Sequence, residues 1–196
     1  MTTNQLPKSV VEDDGPDNSL HNLNRFMRIV RKQDDYAMVL SLATFIEDTL
    51  GRLLLAYFRD CKATRELIDG FNAPLGTLSS RIKASYSFGL TTEDQFKDME
   101  ILRKIRNRHA HNWEGISLGE SDIKALIGQL SGYTFHQKPL VGGERERLLE
   151  TMTTVCMELQ IFVSRLEDGK TAKAPDIGFR LTTLKPIETP RARHVK

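Results

Sequence analysis

Length, composition and charge place this chain among single-domain globular proteins. Its 196 residues are 39% hydrophobic and 28% charged, which is typical of a fold with a buried core. The formal net charge is only +2, so overall charge does not indicate a nucleic-acid partner. No apolar run approaches the roughly 20 residues that a membrane-spanning helix needs, and the N-terminus lacks a basic segment followed by an apolar one. Neither membrane association nor a secretory signal is expected.

The two cysteines, Cys61 and Cys156, stand alone on helix-like stretches. Their spacing fits neither a disulfide framework nor a metal site, so both are expected to be small buried side chains. A reducing cytoplasm is therefore the predicted location. No cofactor and no metal is predicted, because His109 and His111 are two positions apart and point in different directions on a helix.

Composition divides the chain into three parts. Residues 1–18 combine prolines, a glycine and an acidic run, and are predicted to be a disordered leader because they offer little apolar surface to bury. Residues 19–168 carry helical periodicity almost throughout and are predicted to form the folded domain. Residues 169–196 are predicted to be a basic, largely unstructured tail. From Asp168 onward, seven Lys or Arg stand against three Asp or Glu, an excess of four positive charges that leaves contact with nucleic acid open.

Hydrophobic periodicity predicts an all-α bundle of about six or seven helices. The strongest apolar stripes lie in residues 34–60 and 143–167, where apolar side chains recur every three or four positions. These two apolar stripes also lead us to expect a homodimer, because each could face a second subunit. A shorter amphipathic helix precedes them, and its predicted inward residues are Leu23, Phe26, Met27 and Val30.

Start signals predict where the shorter helices in the middle of the chain begin. Pro74 suits a first helical turn, so one helix is expected to begin there and to end at Gly89. The next helix, residues 92–111, is expected to open with a capping box formed by Thr91 and Asp94.

Polar side chains are concentrated at the end of this second helix, in the stretch "IRNRHAH". At 100° per residue, Arg106 falls between Met99 and Leu102, on the inward apolar face. An unpaired charge there would be costly, so Arg106 is expected to meet a carboxylate, a carbonyl or an anionic ligand. Glu47, beside the apolar stripe of the first long helix, is the candidate partner.

Two interpretations of this cluster are open. It could be a basic helix end with one buried ion pair, since cationic side chains stabilise helix C-termini. It could instead bind phosphate or another partner through Arg106 and His109, because arginine clamps phosphate and histidine can carry a proton near neutral pH. Arg81 and Lys83, in "PLGTLSSRIK", could form another wall of the same cleft, or could be solvated residues beside a close helix contact.

The spacing of Arg106, Asn107 and His111 resembles the Arg-x4-His signature of the HEPN superfamily. Members of that superfamily are small all-α domains, often dimeric, and active ones cleave RNA without a metal. The resemblance implies His111 as general acid–base and Arg106 as the clamp on the phosphate or the transition state. It implies Asn107 as the polar residue that often follows the arginine. Under this resemblance the protein is an endoribonuclease or an RNA-binding domain.

A longer block, "PLGTLSSRIKASYSFGLTTEDQFKDMEILRKIRN", is similar to the central part of the mannitol operon repressor family. The similarity covers roughly residues 34–130, with helices on both sides in the expected order. It implies an all-helical transcriptional regulator without a familiar DNA-binding motif, and no such motif is visible in the sequence. Contact with DNA, or with a carrier or regulatory protein, would then use an unrecognised surface.

These two resemblances predict different functions. The longer block carries more residues than the six-residue motif, so a non-catalytic regulator is the preferred prediction. A HEPN-like, metal-independent ribonuclease that uses Arg106 and His111 is the alternative.

Overall fold

In a computed structural model of the protein, residues 18–111, 117–132 and 142–169 are described, except for the side chains at 18, 19 and 109–111. Within these ranges the chain forms seven α-helices and no strand, which confirms the predicted all-α fold. Almost all of the predicted leader and tail lies outside these ranges, so both domain boundaries stay predictions. The helices are α1 (Asn18–Val30), α2 (Asp35–Tyr57), α3 (Lys62–Ile68), α4 (Leu78–Ser87), α5 (Glu93–His111), α6 (Ser121–Ile127) and α7 (Glu144–Glu167).

The central helix of the bundle is α2. It contacts α1, α3, α4, α5 and α7, and its largest interfaces are with α7 and α4. Asp34 caps its first turn, because the carboxylate accepts a hydrogen bond from the Ala37 N–H at 2.8 Å. None of the helices in the described ranges is long and apolar enough to span a membrane. Buried side chains of α2 and α7 form the centre of the core: Met38, Leu42, Ile46, Leu50, Leu53, Leu54, Leu148, Met152, Leu159, Val163 and Leu166.

The first helix, α1, packs on α2 and α7. Its inward residues Leu23, Met27 and Val30 are buried, as predicted. Phe26 stacks on Phe45 of α2, with ring centroids 4.2 Å apart. The apolar side of α1 is thus fixed on the bundle, and its opposite side faces solvent.

The fourth helix, α4, starts later than predicted, at Leu78 and not at Pro74. Thr77 and Ser80 hold this start, because the backbone N–H of each donates to the hydroxyl oxygen of the other at 3.2 Å. Pro74 lies in a turn of the preceding connection, where its fixed φ is equally well suited. The prediction selected the wrong one of two valid start signals.

The capping box of α5 is displaced by one residue from the predicted one. Thr92 accepts a hydrogen bond from the Gln95 N–H at 3.2 Å, and the Gln95 side chain accepts one from the Thr92 N–H at 3.0 Å. The predicted pair, Thr91 and Asp94, does not form the box; Thr91 is buried and Asp94 is exposed. A glutamine at the third helical position closes the box as well as an acid does.

The third helix, α3, is missing from the sequence prediction. Its seven residues span about two turns, too few for hydrophobic periodicity to show. Cys61 occupies its N-cap position and is only partly buried, with Sγ 3.4 Å from the Thr64 hydroxyl. The prediction that Cys61 is buried is therefore wrong, whereas Cys156 in α7 is buried as predicted.

Candidate functional site

The predicted contact between Arg106 and Glu47 is present. Arg106 Nη2 and Glu47 Oε2 are 3.6 Å apart, and the two side chains are 33% and 25% exposed. On α5, Met99, Leu102 and Ile105 are fully buried. Arg106 therefore lies at the edge of the apolar face, where the Glu47 carboxylate compensates its charge.

Asn107 gives the Arg106 guanidinium a second partner. Its Oδ1 accepts a hydrogen bond from Nη1 at 3.1 Å. Two of the groups that the HEPN-like resemblance assigns to RNA chemistry are thus bonded to each other. An anion could bind here by competing with Glu47 or by approaching the exposed third of the guanidinium.

The last turn of α5 includes His109 and His111, but their side chains lie outside the described part of the chain. His109 as a ligand and His111 as a general acid–base therefore stay predictions. Arg108, which precedes them, forms an ion pair with Asp122 of α6. This pair joins the end of α5 to α6.

Arg81 connects three segments of the chain through backbone carbonyls. Its guanidinium donates to the carbonyl oxygens of Leu75 at 2.9 Å, Glu47 at 2.8 Å and Ile68 at 2.9 Å. A further bond reaches the Asp69 carboxylate at 3.3 Å, and the Arg81 side chain is 12% exposed. Four of the five N–H donors of an arginine are used in this way. The structure thus gives Arg81 a packing role, and its predicted role in partner binding stays a prediction.

Gly51 of α2 makes room for this arginine. A Cβ atom at Gly51 would lie 2.6 Å from Nη1 and 2.9 Å from Cζ of Arg81. The close helix contact expected near "PLGTLSSRIK" is therefore the contact between Arg81 of α4 and Gly51 of α2. Sequence reasoning did not identify Gly51, because only the tertiary contact shows its use.

Lys83, the other basic residue of the predicted α4 wall, is exposed. It lies close enough to α5 for its charge to act on Glu100. The Arg103 side chain, which pairs with Glu100 at 2.8 Å, is the main reason that the pKa of Glu100 is lowered, and Lys83 adds to this effect. Lys83 therefore faces the α4–α5 edge of the bundle.

A cavity of about 250 Å³ lies between α5, α7 and the turn after α6, and sequence reasoning missed it. Asp98 in its wall is 2% exposed and accepts hydrogen bonds from the Ser131 N–H at 2.8 Å and the Ser131 hydroxyl at 2.6 Å. Burial raises the pKa of Asp98, and the Ser131 hydrogen bonds oppose this shift. Asp98 lies four residues before Leu102 and so shares its inward face, which was the available signal.

The wall of this cavity is acidic. Asp94 and Glu158 line it together with Asp98, and Gln95 donates a hydrogen bond to Glu158 at 2.7 Å. Three carboxyl groups make it unsuitable as part of an anion site at Arg106. Across the described residues, no group of three or more His, Cys, Asp or Glu side chains is arranged to hold a metal ion.

The fold defines the chain as a small all-helical domain of the bundle class, in which arginines of α4 and α5 both contact Glu47 of α2. In sequence it is similar to the mannitol operon repressors of Escherichia coli strains K12 and CFT073. Each is 25% identical over 99 residues, which are 48% of this chain and 50% of the repressor. The chain thus spans about half the length of these relatives.

In fold, the chain is similar to a chain of the X-ray structure of the MtlR–HPr complex from Escherichia coli. The TM-score is 0.50 at 19% identity, and the match covers 74% of this chain and 98% of the other. No protein-family model matches the chain. The resemblance to mannitol operon repressors that the sequence indicated is confirmed, and the HEPN-like motif stays a prediction.

Proposed function

We propose that this protein is a transcriptional regulator of the mannitol operon repressor type, and that it acts through contact with a carrier protein. The observation that carries the proposal is the likeness in sequence to a mannitol operon repressor, together with the likeness in fold to a chain of the MtlR–HPr complex. HPr, or a protein of the same kind, is the proposed partner.

The contacts around Arg106 favour a binding protein over an enzyme. A catalytic clamp needs donors that are aimed at the substrate before it arrives. Here the Arg106 guanidinium is already paired with Glu47 and bonded to Asn107, and the Arg81 guanidinium is committed to backbone carbonyls. These arginines stabilise the α2–α4–α5 interface, which is a sufficient physical reason for their presence.

The surface also offers apolar side chains that a protein partner could bury. Phe71, in the turn after α3, is 99% exposed, and Leu67 of α3 is 42% exposed four residues earlier. Exposed aromatic side chains frequently become the anchors of protein interfaces, because they bring a large apolar area at low entropic cost. We propose that Phe71 contacts the carrier protein.

Isothermal titration of the purified chain with Escherichia coli HPr tests this proposal. We expect saturable binding with a Kd of about 1–100 μM, and a loss of about tenfold in affinity for Phe71→Ala. Leu40→Ala is the matched control, because Leu40 is an apolar residue of α2 that is 45% exposed. No binding by the parent at HPr concentrations of about 1 mM would contradict the proposed partner. Light scattering of the same samples tests the predicted homodimer.

A HEPN-like ribonuclease is the second candidate, because one third of the Arg106 side chain remains exposed beside Asn107. In this function Arg106 would clamp the phosphate and His111 would transfer a proton. The test is incubation of the parent and His111→Ala with structured and unstructured RNA in the presence of a chelator. Glu66→Ala is the control, since Glu66 is exposed on α3. Cleavage by the parent and control alone would favour this candidate, and no cleavage by any form would count against it.

A further inference from the structure

We infer that the exposed face of α1 binds duplex DNA through the phosphate backbone and the major groove. This inference rests on the proposed regulatory function and adds the surface through which the protein would reach DNA. Arg25, Arg28 and Lys32 line one shallow groove on this face, together with Ile29. The overall charge of +2 conceals this local concentration of positive charge.

The residues of this face follow helical spacing. Arg25, Arg28, Ile29 and Lys32 are separated by steps of three, one and three residues, so they lie side by side along one surface of α1 and of the turn that continues it. All four are exposed. The same surface continues toward the start of α1 with two exposed residues that can form hydrogen bonds, His21 and Asn22.

Three described carboxylates on α7 and at the start of α2 already have other partners. Glu150 of α7 pairs with Arg31 at 3.0 Å, Asp34 caps α2, and Asp35 pairs with Arg145. No carboxylate within the described ranges pairs with Arg25, Arg28 or Lys32. Within the described part of the chain, the face therefore presents three positive charges that no carboxylate pairs with, and such charges complement a phosphate backbone.

The bundle holds this face rigidly. Leu23, Met27 and Val30 are buried beneath α1, and Phe26 is stacked on Phe45. The 13 residues of α1 give a rod of about 20 Å, which is long enough to lie in or across a groove of DNA. A fixed helix with exposed long side chains loses little conformational entropy of its backbone on binding.

The shape and composition of the face favour duplex DNA over RNA. The major groove of B-DNA admits an α-helix, whereas the deep and narrow major groove of A-form RNA does not. Single-stranded nucleic acid is bound by aromatic side chains that stack on bases. The Phe26 ring of α1 stacks on Phe45 of α2 instead, so the exposed face of α1 offers no Phe, Tyr or Trp ring for bases to stack on.

Fluorescence anisotropy with a labelled mixed-sequence DNA duplex of about 20 bp tests the inference on the full chain. The variant is Arg25→Gln/Arg28→Gln/Lys32→Gln. The matched control, Lys62→Gln/Arg65→Gln/Lys97→Gln, removes three exposed charges that are each paired with a carboxylate. Thermal unfolding checks that both variants fold like the parent.

We expect the α1 variant to bind this duplex at least tenfold more weakly at about 50 mM salt, with the slope of log K against log salt reduced by about 2.7. The control should change affinity less than about twofold. No DNA binding by the parent, equal losses in the two variants, or α1-dependent binding of RNA in preference to the duplex would each overturn the inference. HPr titration of the parent separates the two proposals, since a parent that binds HPr but not the duplex would reject this inference alone.

Discussion

The Glu47 carboxylate lies 3.6 Å from the Arg106 guanidinium. The carbonyl oxygen of the same residue accepts a hydrogen bond from Arg81 at 2.8 Å. Glu47 therefore joins α5 to α2 through its side chain and α4 to α2 through its backbone. The two arginines that the sequence suggested as walls of one cleft meet on this residue, and each contact can be tested separately.

The Arg106–Glu47 pair should contribute modestly to stability. Because the two side chains are one third and one quarter exposed, we expect a coupling free energy of about 1 kcal/mol. The measurement is urea unfolding of the parent, Glu47→Gln, Arg106→Gln and the double variant. Strict additivity of the two single substitutions would show that the pair does not contribute, and that Arg106 is held for another reason.

Substitution of Gly51 by alanine should lower the stability of the protein, whereas Gly→Ala substitutions inside helices usually raise it. Gly→Ala inside a helix normally stabilises by about 0.5–1 kcal/mol. A Cβ at Gly51 would displace the Arg81 guanidinium from its carbonyl partners, so we expect Gly51→Ala to destabilise the protein by about 1–3 kcal/mol. Denaturant unfolding measures this change.

The control for that prediction uses Arg81→Met as the background. With the guanidinium absent, Gly51→Ala should no longer destabilise and should show the ordinary small gain. If Gly51→Ala destabilises equally in both backgrounds, the space at Gly51 serves some contact other than Arg81.

Asp98 should make stability depend on pH. Burial raises the pKa of Asp98 in the folded protein, so the native state holds this proton more tightly than the unfolded chain does. The resulting contribution to stability is fully present below the unfolded pKa and is lost as pH rises through the raised folded pKa. Asp98→Asn keeps an acceptor for the Ser131 N–H but removes the titration.

We therefore expect the stability of the parent relative to Asp98→Asn to fall as pH rises from about 4 toward neutrality. Urea unfolding at a series of pH values measures this difference. Asp98→Ala removes the acceptor as well, and should cost about 1–3 kcal/mol at neutral pH. A rise in relative stability of the parent with pH would mean that hydrogen bonds to Ser131 outweigh burial.

The two cysteines should differ in reactivity. The Thr64 hydrogen bonds lower the pKa of Cys61, which is partly exposed, whereas burial raises the pKa of Cys156 to about 12. Because the thiolate is the nucleophile, iodoacetamide should label Cys61 in the native protein and leave Cys156 unmodified. Mass spectrometry identifies the labelled peptide, and Cys61→Ser should abolish labelling. Equal labelling at both positions would show that α7 opens readily.

The long helices and the side of α5 on which Arg106 lies could be predicted from the sequence, because periodicity over many residues fixes which face is buried. For α5, the spacing of Met99, Leu102 and Ile105 placed Arg106 within that face, whereas the structure places it at the edge, 33% exposed. The same reasoning identified Glu47 as its partner, since it flanks the stripe of α2.

Local sequence signals predicted the starts of the shorter helices less reliably. Pro74 and Thr77 are both valid helix starts, and α4 begins after Thr77, where the Thr77–Ser80 capping box forms. The bonds from Arg81 to three carbonyls, and the space that Gly51 leaves for it, depend on segments distant in sequence. Periodicity within a single helix contains no information about such contacts.

Repression of a mannitol-operon reporter tests the central claim most directly. The full chain is expressed in an Escherichia coli strain that lacks its own mannitol operon repressor, with an empty vector and the Phe71→Ala variant beside it. The proposed function predicts lower reporter transcription with the parent than with the empty vector, and weaker repression by Phe71→Ala at equal protein level. Reporter transcription that is the same with the parent and the empty vector would contradict a regulatory role of this type.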